Sequence, residues 1–207
     1  MARYFEALAG VGIHEAVLVV GYKQDMIRSA VGTGLSGVRA RYIVNDQFQR
    51  GSITSLWKAG TEFDGDALIM DADVLFHREI LRRLVASTCP TALLMDETVK
   101  QQTEECMVVV QGGKVAALTK KMPLHYDLAG EGVGFLKIAR RDTGNLLASL
   151  GTHMDRGEQD MEYEDALLEF FDQTRVGFER IGGLPWVEID FPEDVVRAER
   201  EILPKIG

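Results

Sequence analysis

The chain has 207 residues, 46% hydrophobic and 27% charged, which is the composition of an ordinary soluble globular protein long enough for one large domain or two small ones. It lacks an apolar run near the ~18 residues a membrane span needs, and it lacks a charged-then-apolar leader. Its two cysteines, Cys89 and Cys106, are too few for a disulfide scaffold or zinc ribbon and read as buried thiols in a reducing cytoplasm. The net charge of −9, from 32 acidic and 23 basic residues, disfavours nucleic acid as a partner; an acidic protein that handles phosphates needs a metal ion or local basic groups.

Short apolar runs alternate with helical patterns along the chain. Residues 2–9 place Tyr4, Phe5 and Leu8 on one face and stop at Gly10, predicting a helix. Residues 15–21 (EAVLVVG) form a continuous apolar run, the pattern of a strand buried on both faces. A helix is expected over about 23–30, a strand at 41–44, a helix at 52–59, and a second buried strand (ALIM) at 67–70. The spacing of Ile80, Leu81, Leu84 and Val85 predicts a helix over 77–86, and residues 91–95 read as another strand. Such successive βα units point to a parallel sheet with helices on both sides. A parallel crossover into residues 16–20 normally has a strand before its helix; the alternative is a domain that simply starts with a helix.

Beyond Glu97 the pattern changes. Residues 107–118 are two apolar stretches joined by Gly112-Gly113, a hairpin, and 132–139 is a strand. Helices are expected at 143–150 and 162–172, and residues 177–189 should return the chain to the sheet. Pro192, a favoured first-turn residue, opens a last helix running to about 203. With no repeat, low-complexity segment or linker, one domain is the expected count.

The sharpest local feature is Asp71-Ala72-Asp73, directly after the strand ALIM. In open α/β sheets ligands bind at the carboxyl ends of strands, and carboxylates there can hold a hard cation such as Mg²⁺ against substrate phosphates. The alternative is that Asp71 caps the coming turn and Asp73 is solvated. A second acidic cluster is Glu188-Ile189-Asp190. If Pro192 is the first helical residue, Phe191 takes the cap position, which leaves Asp190 for a metal, with capping as the competing role. Glu193 and Asp194 suit the helix dipole. Asn45 leads into a polar loop in which Gly51, Ser52 and Thr54 stand where a helix begins. Free backbone N–H groups there can bind a base edge or a phosphate, and Ser52 can also cap the helix. Lys120 and Lys121 form a basic pair able to meet a phosphate. Residues 162–171 form an amphipathic helix with Tyr163, Leu167, Phe170 and Phe171 on its apolar face. Tyr163 and Asp165, with Trp186, could surround a small cation; a core face plus a solvated face is the competing reading. The four histidines (His14, His77, His125, His153) are scattered, and neither a hydrolytic triad nor a phosphate-binding glycine motif is present.

Together these pieces resemble the sugar-phosphate and choline-phosphate nucleotidyltransferase family over nearly the whole chain. LAGVGIHEAVLVVGYKQDMI looks like the helix–strand–helix that follows the family's signature loop. NDQFQRGSITSLWKA resembles the base-contacting segment, implying nucleotide contacts from Asn45, Ser52 and Ser55; Asp71 is also expected among the nucleotide-binding residues. LIMDADVLF matches the first metal-binding aspartate, most naturally Asp73. EGVGFLKI, from Glu131, resembles the strand lining the acceptor site. WVEIDFPEDVVRAE resembles the closing motif, in which Asp190 is the second metal ligand. Lys120, Glu131, Tyr163, Asp165, Trp186 and Glu188 are the residues expected on the acceptor side. The resemblance implies a three-layer α/β/α, GT-A-like fold with a mostly parallel central sheet, with a nucleotide-binding part over about 1–97 and an acceptor-binding part over about 98–207.

The implied activity is transfer of a nucleoside monophosphate, CMP favoured, from a triphosphate to a small phosphorylated alcohol or sugar. Mg²⁺ is the implied cofactor, held by Asp73 and Asp190. The family begins with a strand and a glycine-rich loop carrying Arg and Lys, and this chain starts after them. It is therefore expected to be a fragment or to have lost activity, with unpaired sheet edges inviting self-association. An Asp-x-Asp glycosyltransferase and a non-catalytic nucleotide-binding module are the alternatives.

Overall fold

Apolar periodicity sets where the elements lie. The computed structural model describes residues 1–99 and 105–206. It opens with helix α1 (Ala2–Gly10), strand β1 (Glu15–Val20), α2 (Gln24–Val31), β2 (Gly34–Leu35), β3 (Val38–Val44) and α3 (Ile53–Ala59). It continues through β4 (Ala67–Met70), β5 (Val74–Phe76), α4 (Arg78–Ala86), β6 (Ala92–Asp96), β7 (Met107–Gln111), β8 (Lys114–Thr119) and β9 (Leu128–Ile138). The last elements are α5 (Arg140–Asp155), α6 (Tyr163–Gln173), β10 (Gly177–Arg180), β11 (Trp186–Glu188) and α7 (Pro192–Arg197), which passes through a π turn (Ala198–Ile202) into α8 (Leu203–Ile206). Every expected element forms. The two-residue β2 and three-residue β5 are additions, and β3, β9 and α5 run longer than their patterns suggest.

Packing groups these elements into two units, Met1–Gly65 with Arg140–Gln173 and Asp66–Ala139 with Thr174–Gly207. Each is made of two chain segments. In the first unit β1 pairs parallel with β3, which takes β2 antiparallel on its other side. Phe5, Val20, Ile53, Leu146, Leu150, Leu167 and Phe170 are among its buried residues. In the second unit β10 pairs parallel with β6, while β9 runs antiparallel to β4, β6 and β7.

The class is α/β as expected, but the pairing is mixed rather than mostly parallel. The physical reason lies in residues 107–138, where short reversals build β7, β8 and β9, and a short reversal can only give antiparallel neighbours. β9 then carries that direction in beside β4 and β6. A second correction concerns EAVLVV and ALIM, read as strands buried on both faces. Among the described residues β1 pairs with β3 alone and β4 with β9 alone. Most of their side chains are accordingly half-buried. Cys89 and Cys106, expected buried, are half-buried as well and form no disulfide.

Two features of the second unit position chemistry. β9 pairs with β7 over its first residues and with β4 over its last, both along the same edge. Gly134 stands at that change-over with φ +75, a conformation open mainly to glycine. The Asp71 N–H donates to its carbonyl oxygen (3.0 Å), and a Cβ at Gly134 would run into the Asp71 carboxylate. The helical C-terminal stretch packs Ala198, Ile202 and Ile206 on Val187, with Leu75 and Ile189 joining the cluster. That cluster backs the antiparallel β5–β11 pair, which does not return to the larger sheet as residues 177–189 were expected to do throughout. No described helix is long and apolar enough to cross a membrane.

Candidate active site

The β5–β11 pairing brings the two acidic motifs together. Glu188 lies opposite Val74, and the Ile189 N–H donates to the Asp73 carbonyl oxygen at 3.0 Å. Asp73, Glu188 and Asp190 thus each bring a carboxylate oxygen to within 4.8 Å of the others, in exposed positions. Asp190 is not the cap of α7. Asp194 Oδ2 accepts from the N–H groups of Phe191 (2.9 Å) and Asp190 (3.2 Å), closing the helix end and leaving the Asp190 carboxyl out of that role.

The electrostatics follow from the crowding. Partial desolvation against the protein wall raises the Asp73 carboxyl above its ordinary value, a backbone hydrogen bond draws it partly back, and the Asp190 charge adds to the rise. Glu188 is raised by burial first and then by Asp190 and Asp73, while the Lys120 ammonium draws it partly back. Glu131, paired with Asp96 across β6 and with Met107 across β7, is pushed up to about 7 by burial and then by Glu105, Asp96 and Glu188, against the pull of Arg197. Like charges held this close favour whatever cation or proton can neutralise them.

Seven of the predicted residues lie in the second unit: Asp73, Glu188 and Asp190 at the cluster, Lys120 and Glu131 within its electrostatic reach, Trp186 on the same strand as Glu188, and Asp71 against Gly134. Trp186 is nevertheless buried at 8% exposure, with its Nε1–H donating to Asp96 Oδ2 at 2.8 Å. It braces Asp96 rather than offering an open face to a cation. Asp96 Oδ1 also accepts from the Thr98 N–H and hydroxyl. Sequence reading missed Asp96 and Glu105. The signal for Asp96 was its place at the end of an apolar strand, ALLMD, like that of Asp71 after ALIM.

The first unit corrects several expectations. The Asn45 side chain is buried, donating to Thr54 Oγ1 (2.9 Å) and Ser55 Oγ (3.0 Å) and accepting from the Gln47 N–H (2.9 Å). It organises the loop rather than standing open to a base. The backbone N–H groups expected to be free are also engaged: Gly51 on Gln159 O, Ile53 on Met161 O, Thr54 on Gly51 O and Ser55 on Ser52 O. Ser52 does not cap its own helix; its hydroxyl bonds Glu162 and the N–H of Tyr163. Tyr163 is half-buried at the start of α6, and Asp165, two residues on, is exposed. Both belong to this unit, whereas Trp186 belongs to the other.

No family profile matches the chain. A curated protein of Streptomyces rubellomurinus, CMP-5'-(3-aminopropyl)phosphonate synthase, is 36% identical over 88 residues, which is 42% of this chain; the match spans only 14% of that relative's own length. Among solved structures, the inositol-1-phosphate CTP transferase of T. maritima superposes with a TM-score of 0.76 at 17% identity, covering 97% of this chain and 80% of that one. The CTP:phosphocholine cytidylyltransferase of Streptococcus pneumoniae gives 0.72 at 19% identity, covering 95% and 82%. The resemblance read from the sequence thus holds in three dimensions: this chain is built on the fold of the sugar-phosphate and choline-phosphate nucleotidyltransferases.

Proposed function

We propose that the chain acts in the cytoplasm as a cytidylyltransferase. A phosphate or phosphonate oxygen of a small acceptor attacks the α-phosphorus of CTP and forms the new P–O bond. The bond from that phosphorus to the oxygen bridging to the β-phosphate breaks, and pyrophosphate leaves in line with the electron pair. The observation that carries this reading is the Asp73–Glu188–Asp190 cluster at the end of ALIM, on a fold shared with CTP-dependent transferases.

The donor set suits a hard divalent cation: carboxylate oxygens only, close together and open to water. Asp73 and Asp190 would hold Mg²⁺, which when bound supplies charge neutralisation and Lewis acidity. Glu188 adds a third negative charge beside them, and Lys120 offers an ammonium to the acceptor phosphate. Asp71 stays on the nucleotide side, fixed against β9. The segment 45–55 supplies nucleotide contacts, with Ser55 as the proposed ligand and with Asn45 and Ser52 holding the segment in shape. Glu131, with Asp96 and Glu105 beside it, favours an acceptor that carries an amine or ammonium, as the names of the aminopropylphosphonate and phosphocholine enzymes suggest. Tyr163 and Asp165 are the residues of α6 proposed as acceptor contacts. Transfer of this kind depends on positioning and charge neutralisation rather than on a covalent intermediate.

The test is to incubate the chain with CTP, Mg²⁺ and, in turn, phosphocholine, inositol 1-phosphate and 3-aminopropylphosphonate. The expected result is acceptor-dependent pyrophosphate release with a CMP-linked product. Release of a nucleoside diphosphate would assign it to glycosyl transfer instead. CTP binding that ignores Mg²⁺, without turnover on any acceptor, would make it a binding module.

A further inference from the structure

In the first unit, residues 50–53 and 159–163 are laced together by every residue in turn. The Arg50 guanidinium pairs with the Asp160 carboxylate through Nε and through Nη2, the latter at 2.9 Å. The Gly51 N–H donates to Gln159 O at 2.9 Å, and the Ile53 N–H to Met161 O at 3.4 Å. The Ser52 hydroxyl donates to Glu162 Oε2 at 2.5 Å and accepts from the Tyr163 N–H at 2.8 Å. The approach is so close that a Cβ at Gly51 would collide with the Met161 backbone.

Ser52 is the centre of this lacing. The first N–H groups of a helix have no partner within the helix, and that of α6 is satisfied by a hydroxyl 111 residues away in sequence. With its proton on Glu162 and a lone pair on Tyr163, the Ser52 side chain is occupied by the protein. We infer that Ser52 is a positioning residue: through its hydroxyl, the polar segment 45–55 and the first turn of α6 are set as one piece. This rests on the proposed function, which places nucleotide contacts on the first and the acceptor contacts of Tyr163 and Asp165 on the second. Nucleotide and acceptor are then aligned together, and loosening one loosens the other.

The experiment compares the unaltered chain with Ser52→Ala, Ser52→Thr and Glu162→Ala. Two readouts are taken on each: amide hydrogen exchange, and calorimetric titration with CTP and Mg²⁺. In Ser52→Ala, protection at Tyr163, Gly51 and Ile53 should fall while that of β1 and β3 is kept, and the CTP Kd should rise about tenfold, as loss of a charge-assisted hydrogen bond implies. Ser52→Thr keeps a hydroxyl and should restore both. Glu162 is exposed, so Glu162→Ala leaves the fold intact and should move both readouts in the same direction by less. Lost protection with an unchanged CTP Kd would overturn the inference. So would weakened CTP binding with full protection, which would make Ser52 a direct ligand. Failure of the unaltered chain to bind CTP would overturn the functional reading itself, and that result is visible before any variant is made.

Discussion

Replacing Glu131 with glutamine keeps the shape of the side chain and removes one proton-binding site. Burial and the charges of Glu105, Asp96 and Glu188 hold that carboxyl at about 7, against an ordinary 4.5. An acid whose folded value is raised keeps its proton in the folded state after the unfolded chain has released it. Stability therefore falls as pH rises through the window from 4.5 to about 7, and the full penalty is present above it. At about 1.4 kcal/mol per pH unit the upper bound is about 3 kcal/mol. Water screens a group that is only half-buried, which reduces the expected figure to about 1 kcal/mol. The Gln variant should accordingly melt about 2–4 °C higher than the unaltered chain at pH 8 and at nearly the same temperature at pH 4.5. Differential scanning calorimetry in chelator-treated buffer at a series of pH values reads this directly. A gain equal at both ends of the range, or a loss at pH 8, would refute the burial and like-charge account.

Three other substitutions test the second unit. Asp73→Asn should abolish pyrophosphate release and the stabilisation by Mg²⁺ while leaving metal-free melting unchanged or slightly higher, because a repulsive charge is gone; parallel losses of activity and melting temperature would defeat this. Trp186→Phe removes the donor to Asp96 Oδ2 and leaves a buried carboxylate oxygen short of a partner, a cost of about 1–3 kcal/mol in urea unfolding; a change within error would mean the bond contributes nothing. Asp194→Ala frees two N–H groups at the start of α7. It should cost about 1 kcal/mol and weaken Mg²⁺ binding through the displaced Asp190; an unchanged Mg²⁺ titration would separate the cap from the cluster.

The two acidic motifs were legible in the sequence because each ends an apolar run, and strand ends are where open sheets place ligands. What joins them was not. β5 is three residues long, too short for alternation to register, yet its pairing with β11 is what carries Glu188 and Asp190 to Asp73. Asn45 and Ser52 were read as nucleotide contacts on the resemblance of NDQFQRGSITSLWKA to a base-contacting segment. Ser52 is occupied by Glu162 and Tyr163, partners 110 and 111 residues on, which no local pattern reveals. The helices and most strands were correct within a few residues, since their apolar spacing is local. Strand direction was legible only in part: β1–β3 and β6–β10 are parallel and β7–β8 is the expected hairpin, but the antiparallel run of β9 beside β4 and β6 depends on how the hairpin region folds back, and the βα rhythm of the first half says nothing of that.

The half-covered strands β1 and β4 bear on how this protein behaves in a tube. Each is a short apolar ribbon with a partner on one side only among the described residues, and such ribbons adhere to one another when molecules meet. What opposes the encounter is the net charge of −9, a repulsion that reaches about 10 Å at 0.1 M salt and about 3 Å at 1 M. Concentrated salt should therefore turn a clear preparation turbid, and dilute buffer should hold it as single molecules. Light scattering against ionic strength would display this colloidal balance without any substrate at hand.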